Sequence, residues 1–327
     1  MSGLVTIFGG AGFVGRYIAR RMAKEGWRVR VAGRRPNESL HVKPYGTPGQ
    51  VEPVFCNIRD DASVRAVMQG ADAVVNCVGI LDESGKQSFD SVQSEGAGRI
   101  ARIAAEEGIA RLVHLSAIGA SADSASKYQQ SKAAGEADVL AHFNDVVILR
   151  PSVIFGPEDG FFNKIAGLSR FTPVMPVISG ATKFQPVYVD DVAKAAVAGV
   201  TGAAAPGIYE LGGAEVITFR GAMEKALEVS YRKRILVPMP LFIARIQATV
   251  MSLIEAISLG AIPNFIVTRD QLRSLADDNV VSEGAKTLAD LGIDPVRMDS
   301  VLSEYLWRYR PSGQYDDIRD SAANLRD

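Results

Sequence analysis

The apolar run Leu4–Phe8 is followed at once by Gly9-Gly10-Ala11-Gly12-Phe13-Val14-Gly15, and then by a helical pattern with Val14, Ile18, Ala19 and Met22 on one face. This order predicts a strand, a tight glycine turn and a helix. Side chains at Gly9, Gly10 or Gly12 would hold the backbone away from a pyrophosphate, and Gly15 lets the helix lie close to the strand, so that free N–H groups at the helix N-terminus face the phosphates. Glycine turns after strands are common, and a turn without ligand is the alternative. A strand before and a helix after is the context in which such a turn holds a dinucleotide.

The same alternation continues through the first 150 residues. Residues 4–8, 29–32, 51–56, 73–78, 112–116 and 146–149 read as short apolar strands, most of them separated by amphipathic helical patterns. Strands rich in Val and Ile, buried on both faces and joined by helices, predict an α/β domain over 1–150 built on a doubly wound parallel sheet. Ligands of such a sheet lie at the carboxyl ends of its strands, which gives weight to the residues just after each run. Beyond Arg150-Pro151 the pattern loosens into a smaller second lobe over 151–310, expected to close over the ligand from the far side. It holds strand candidates at 185–189 and 208–211 and helix candidates near 218–229, 241–259 and 300–308. Residues 311–327 are polar and read as an extended tail.

Composition narrows the function. Of 327 residues 47% are hydrophobic and 22% charged, as in soluble globular chains. The 36 Lys and Arg against 37 Asp and Glu give a formal net charge of -1 without a basic block, so no nucleic-acid partner is expected. Cys56 and Cys77 lie in apolar runs and read as small buried hydrophobes in a reducing compartment. His41, His114 and His142 are far apart and read as local structural residues, so no metal site is expected. The first strand begins almost at the initiator Met, which predicts no targeting leader and a protein that stays inside the cell. Pro238, Pro240, Arg245, Glu255 and Pro263 interrupt 235–265, so no transmembrane helix is expected there. Within 241–265 Arg245, Ser252, Glu255 and Ser258 leave only a narrow polar stripe, to be covered either by the second lobe or by a partner or membrane surface.

Three groups of residues point to cofactor chemistry. The second strand ends in Gly33-Arg34-Arg35, with no acid where an unphosphorylated ribose would be met. Two guanidinium groups suit a 2′-phosphate, hence NADPH; alternatively one stacks on the adenine and the other is solvated. Asn57 and Ile58 follow the third strand and Val78 and Gly79 the fourth: Asn57 suits the adenine amino edge, Ile58 its face, and Gly79 lets the backbone pass the ribose. Tyr128 and Lys132 stand one helical turn apart, with Glu136 a further turn along. In such a pair the ammonium lowers the phenol pKa and binds the nicotinamide ribose, the phenol exchanges a proton with a carbonyl or alcohol, and Ser116 orients the substrate oxygen. Tyr and Lys at this spacing also arise by chance, and lining a site is not catalysis.

The fingerprint Gly9 to Gly15, Tyr128 with Lys132, and Arg150-Pro151-Ser152-Val153-Ile154-Phe155-Gly156 resemble the extended and atypical short-chain dehydrogenase/reductases. That resemblance implies a Rossmann-type doubly wound parallel sheet with a smaller C-terminal α/β lobe. Within the family, Gly12-Phe13-Val14-Gly15-Arg16-Tyr17, Ile154-Phe155-Gly156-Pro157-Glu158-Asp159, Gln185-Pro186-Val187-Tyr188-Val189-Asp190-Asp191-Val192, Leu236-Val237-Pro238-Met239-Pro240 and Thr268-Arg269-Asp270 resemble one branch. It comprises the nucleotide-binding accessory subunits of respiratory complex I, the proton-pumping NADH:ubiquinone oxidoreductase. The resemblance runs from Leu4 to about Arg310. It implies a tightly held NADPH that serves structure or regulation, touched by Gly9, Gly12, Phe13, Val14, Gly15, Arg34, Arg35, Asn57, Ile58, Val78, Gly79, Ser116, Tyr128, Lys132, Pro151 and Ile154. It also implies other complex I subunits as partners, a place on the peripheral arm near the membrane and the quinone site, and no established substrate. That place would be the cytoplasmic face of a bacterial inner membrane, or the matrix side in a mitochondrion. Retention of Ser116, Tyr128 and Lys132 leaves a second reading open, a free NADP-dependent reductase or epimerase of a small carbonyl or sugar nucleotide. A redox-sensing regulator is a third.

Overall fold

β-Branched residues, stiff at χ1 and well fitted to a pleated sheet, make up much of the strands in the first half of the chain. The computed structural model describes residues 3–83, 85, 87–240, 242–244, 246, 249, 269–313 and 315. It contains β1 (Leu4–Phe8), α1 (Phe13–Lys24), β2 (Arg28–Gly33), β3 (Val51–Phe55), α2 (Asp61–Met68), β4 (Ala73–Asn76), α3 (Glu95–Glu106), β5 (Arg111–Leu115), α4 (Lys127–His142) and β6 (Val147–Pro151). With the strand Gly207–Leu211 these form one seven-stranded sheet, all parallel, in the order Gly207–Leu211, β6, β5, β4, β1, β2, β3. The order reverses direction between β1 and β4, the place where a doubly wound sheet opens a crevice for a ligand.

Helices cover both faces of this sheet. Val64 and Met68 of α2, Ile100 and Ile103 of α3 and Val139 of α4 pack with Phe8, Leu112 and Ile148 in one buried cluster. Across the sheet, α1 buries Ile18, Ala19 and Met22 and packs against the helix Val189–Thr201. Arg21 of α1 donates to Asp190 of that helix, with Nε at 2.6 Å from Oδ1.

The chain divides into two units, and the division differs from the single cut expected after residue 150. Residues 1–152, 189–212 and 281–295 form the first unit; 153–188, 213–280 and 296–327 form the second. The run at 208–211, expected in the second lobe, is the edge strand of the main sheet. Tyr209 and Leu211 are buried beside β6, and the ladder with β6 is what returns this segment to the first unit. In the second unit Phe155, Phe162, Met175, Val177, Met223, Leu302 and Tyr305 share a core. The Tyr305 hydroxyl donates to Asp159 at 2.5 Å, and Asp159 also accepts from the N–H groups of Gly156 and Phe161.

Other boundaries moved for local reasons. The strand expected over 73–78 stops at Asn76, whose Oδ1 accepts from Val78 N at 3.0 Å and turns the backbone out of the ladder. Of 185–189 only Val187–Tyr188 is a strand, since Val189 opens the next helix. The helix expected near 218 runs Phe219–Val229 with Thr218 as its cap, and the one expected at 300–308 runs Met298–Leu306. Most of 241–259 and of the tail after 313 lies outside the described residues.

Candidate nucleotide-binding site

The glycine turn is built around backbone contact. Gly9, at φ +73, donates to Ala32 O at 2.9 Å, and Gly12 N donates back to Gly9 O at 2.9 Å. A Cβ on Gly15 would lie 2.6 Å from Gly10 Cα and collide with the Gly9 carbonyl as well. A Cβ on Gly9 would press at 3.3 Å on the Cys77 carbonyl and Val78 N, which places the turn beside the end of β4. Helix α1 starts at Gly12 without a side-chain cap and without an acid in its first turn. Arg16 is the first residue whose N–H finds a helical acceptor, Gly12 O at 3.0 Å. The N–H groups of Phe13, Val14 and Gly15 therefore point out of the helix end, where an anion is favoured by both the dipole and the orphan donors.

Arg34 and Arg35 follow β2, and both are exposed. Arg35 meets Glu38 at 3.3 Å, whereas Arg34 has no ion-pair partner among the described residues. Beyond β3, Asn57 is held by its backbone, with N donating to Ser63 Oγ at 2.9 Å and Oδ1 accepting from Arg59 N at 3.2 Å. Ile58 leans on the core cluster and would touch a Cβ placed on Gly96.

A buried polar group lies beyond β4 and β5. Lys132 of α4 is buried and donates from Nζ to the Leu115 carbonyl at 3.2 Å. Its ammonium is also 3.3 Å from where a Cβ on Gly79 would stand, so Gly79 leaves room for that head group. Burial lowers Lys132 to about 8, against the attraction of Glu136. Burial drives Tyr128 the other way, up to about 12, and Lys132 does not bring it down as the sequence pattern predicted. The phenol packs edge-on against Phe89, with ring centroids 6.0 Å apart. Ser116, next after β5, is buried and its Oγ has no hydrogen-bond partner among the described residues.

Two further residues were given no role by the sequence. Gln93 sits in the π-turn Asp90–Ser94 ahead of α3, almost fully buried, and donates from Nε2 to Ile80 O and Ser131 Oγ, each at 3.2 Å. Its Oε1 is unpartnered and would be 3.7 Å from a Cβ on Gly79. Glu136 is the second: it accepts from Arg150 Nε at 2.8 Å and Nη2 at 2.5 Å, and Arg150 also faces Glu210 at 3.7 Å. No period or motif announces Gln93; Glu136 stood in the reading only as the next turn after Lys132. Pro151 is buried at the end of β6, while Ile154 belongs to the second unit, paired beside Val187.

These residues fit a dinucleotide. The turn has no space for side chains, the helix end offers free donors, two guanidinium groups follow β2, and the buried Gln93 Oε1 and Ser116 Oγ lack partners among the described residues. Over residues 5–212 the chain matches the model of the NAD dependent epimerase/dehydratase family. It belongs to that family. It is 35% identical to the mitochondrial NADH dehydrogenase (ubiquinone) 1 alpha subcomplex subunit 9 of Arabidopsis thaliana over 96% of this chain and 80% of that one. A ceramide reductase of Caulobacter vibrioides is 33% identical over 60% of each chain. The solved structure of the Bordetella bronchiseptica enzyme WbmG in complex with NAD shares the fold, with a TM-score of 0.68, 14% identity and coverage of 97% of this chain and 95% of that one.

Proposed function

We propose that this chain is a non-catalytic NADP(H)-binding accessory subunit of complex I. The observation that carries the reading is the 35% identity, sustained over 96% of the chain, to a protein named as a subunit of NADH dehydrogenase. In this role the glycine turn and the N-terminus of α1 hold the pyrophosphate, Arg34 and Arg35 hold the 2′-phosphate, and Asn57 and Ile58 meet the adenine. Val78, Gly79, Ser116, Tyr128 and Lys132 surround the nicotinamide ribose, with Pro151 completing the contacts. NADP(H) would supply a hydride-carrying ring and three phosphate groups. A ligand that binds only the folded state stabilises it by about 4 kcal/mol when free ligand stands a thousandfold over its dissociation constant, so a tightly held nucleotide serves as a structural element. A phenol held up at about 12 keeps its proton near neutral pH and can donate a hydrogen bond to a ribose hydroxyl.

The proposed place is the peripheral arm near the membrane and the quinone site, among other complex I subunits, on the cytoplasmic face of a bacterial inner membrane or the matrix side in a mitochondrion. The apolar stretch 241–265 proposed to dock there lies largely outside the described residues. Gentle isolation from native membranes tests the reading. Recovery in a large respiratory assembly with one NADPH per chain supports it, and recovery as a free protein without nucleotide sinks it.

A second reading, an NADP-dependent reductase, is favoured by the orphaned Ser116 Oγ beside the Tyr128 and Lys132 helix and by the similarity to a protein named a ceramide reductase. In that case Tyr128 donates the proton and Ser116 orients the substrate oxygen. Oxidation of bound NADPH on adding a carbonyl substrate separates it from the first.

A further inference from the structure

The second unit carries a surface where exposed apolar side chains stand against cations that have no acidic partner among the described residues. The strands Val174–Ile178 and Ile235–Met239 pair in parallel, with Ile235 opposite Val174 and Val237 opposite Pro176. Partners in register share a face, so Val174, Ile235 and Val237 lie on one side of this ribbon, and they are 45, 66 and 44% exposed. Met175 and Val177, on the other side, are in the core. At the end where the strands begin, Phe171 stands 81% exposed on the turn after the helix Phe162–Leu168. Arg234 ties the two segments together by donating from Nε to Ser169 O at 2.7 Å.

Four cations gather at that same end: Arg170 over the Phe171 ring, then Arg232, Lys233 and Arg234 in succession. None has a carboxylate within ion-pair distance among the described residues. Arg232 is lowered by burial and by its neighbours Arg234 and Arg170, with no acid to offset them. At the far end of the ribbon, Ala244 packs with Ile178 and Met239, and beside it Phe242, Ile243 and Ile246 are exposed.

We propose that this face of the second unit rests on a membrane surface of acidic phospholipid, the four cations meeting headgroup phosphates and Phe171, Ile235 and Val237 entering the apolar boundary beneath them. Arg232 and Arg234 are oriented by carbonyls, Arg232 Nε donating to Tyr309 O at 2.7 Å, and a row of cations whose charge no described carboxylate offsets, beside isolated protruding apolar chains, matches a planar anionic interface. The proposal uses none of the residues of the nucleotide reading and does not depend on it.

Sedimentation of the full chain with vesicles tests the proposal. The protein pellets with phosphatidylcholine vesicles containing about one third phosphatidylglycerol and stays in solution with phosphatidylcholine alone. Arg170→Gln with Lys233→Gln weakens binding about fivefold for each charge removed, and added salt does the same. Phe171→Ser weakens it at every salt concentration. Equal binding to neutral vesicles, no binding to either kind, or variants that bind as the parent does would each overturn the proposal; capture of an acidic protein by the same face without vesicle binding would assign the surface to a protein partner instead. Nucleotide content separates this from the cofactor reading, because these variants keep whatever NADPH the parent holds.

Discussion

Asn76 fixes the tautomer of His114. Its Oδ1 is taken by Val78 N at 3.0 Å, so the amide turns Nδ2 toward His114 Nδ1 at 3.2 Å, and the histidine proton is left on Nε2, which has no acceptor among the described residues. A second proton would have to be buried beside the Lys132 ammonium, and together these hold His114 down at about 3. The unfolded chain takes up that proton near 6.5, so stability is full above this value and falls as pH drops from 6.5 towards 3, by up to about 1.4 kcal/mol per unit. His114→Gln keeps an acceptor for Asn76 but does not titrate. Urea unfolding between these pH values is expected to show a shallower acid slope in the variant, and parallel slopes would refute the assignment.

Lys132 titrates in the opposite part of the scale. With its folded value lowered to about 8, the folded protein releases the ammonium proton before the unfolded chain does, so this residue adds stability as pH rises from about 8 towards 10.5. Cys77, raised to about 12 by burial, acts against it across part of the same range. The quantity to measure is therefore the difference between the parent and Lys132→Met. It should shift in favour of the parent on going from pH 8 to 10, and a difference that stays flat would mean that Lys132 is not buried as a cation.

The glycine-turn end of the candidate site was legible because it is written in backbone and charge. Gly9 to Gly15 follow a strand and open a helix, and Arg34 and Arg35 fall at the next strand end, so spacing alone locates them. The other half depends on approach between distant segments. Gln93 reaches Gly79 only because the π-turn Asp90–Ser94 packs its carbonyl against Gly135 of α4, a contact with no periodic signature. The strand Gly207–Leu211 was assigned to the wrong unit for a related reason: sequence order follows the chain, whereas the parallel sheet recruits a strand from beyond the excursion through 153–188.

Arg34 and Arg35 differ in what they have to give up. Arg35 already meets Glu38, so part of its charge is neutralised before a phosphate arrives, whereas Arg34 has no such neighbour. Arg34→Ala is expected to weaken NADPH by about tenfold or more, the loss of a charge-assisted contact, while NADH changes by less than about twofold. Arg35→Ala should cost NADPH less. Fluorescence titration of both nucleotides against both variants reads this directly, and equal losses for NADPH and NADH would remove the 2′-phosphate from the argument.

Gly15 gives the most exacting test of the turn. Its neighbours are the backbone of Gly9 and Gly10, not a flexible side chain, so a methyl group there has nothing soft to push aside. Gly15→Ala must move α1 away from β1, at an overpacking cost of about 1–3 kcal/mol. The same movement carries the N–H groups of Phe13 and Val14 away from the phosphate position, so nucleotide binding should fall by more than the stability loss accounts for. Gly26→Ala is the control for left-handed glycine strain: Gly26 has φ +79 and open space around it, so this substitution costs stability while leaving the turn in place. Thermal unfolding with and without added NADPH distinguishes them. The nucleotide should raise the midpoint of Gly26→Ala as it does that of the parent and leave Gly15→Ala nearly unmoved, and an equal rise in both would show that the helix end is not where the phosphates sit.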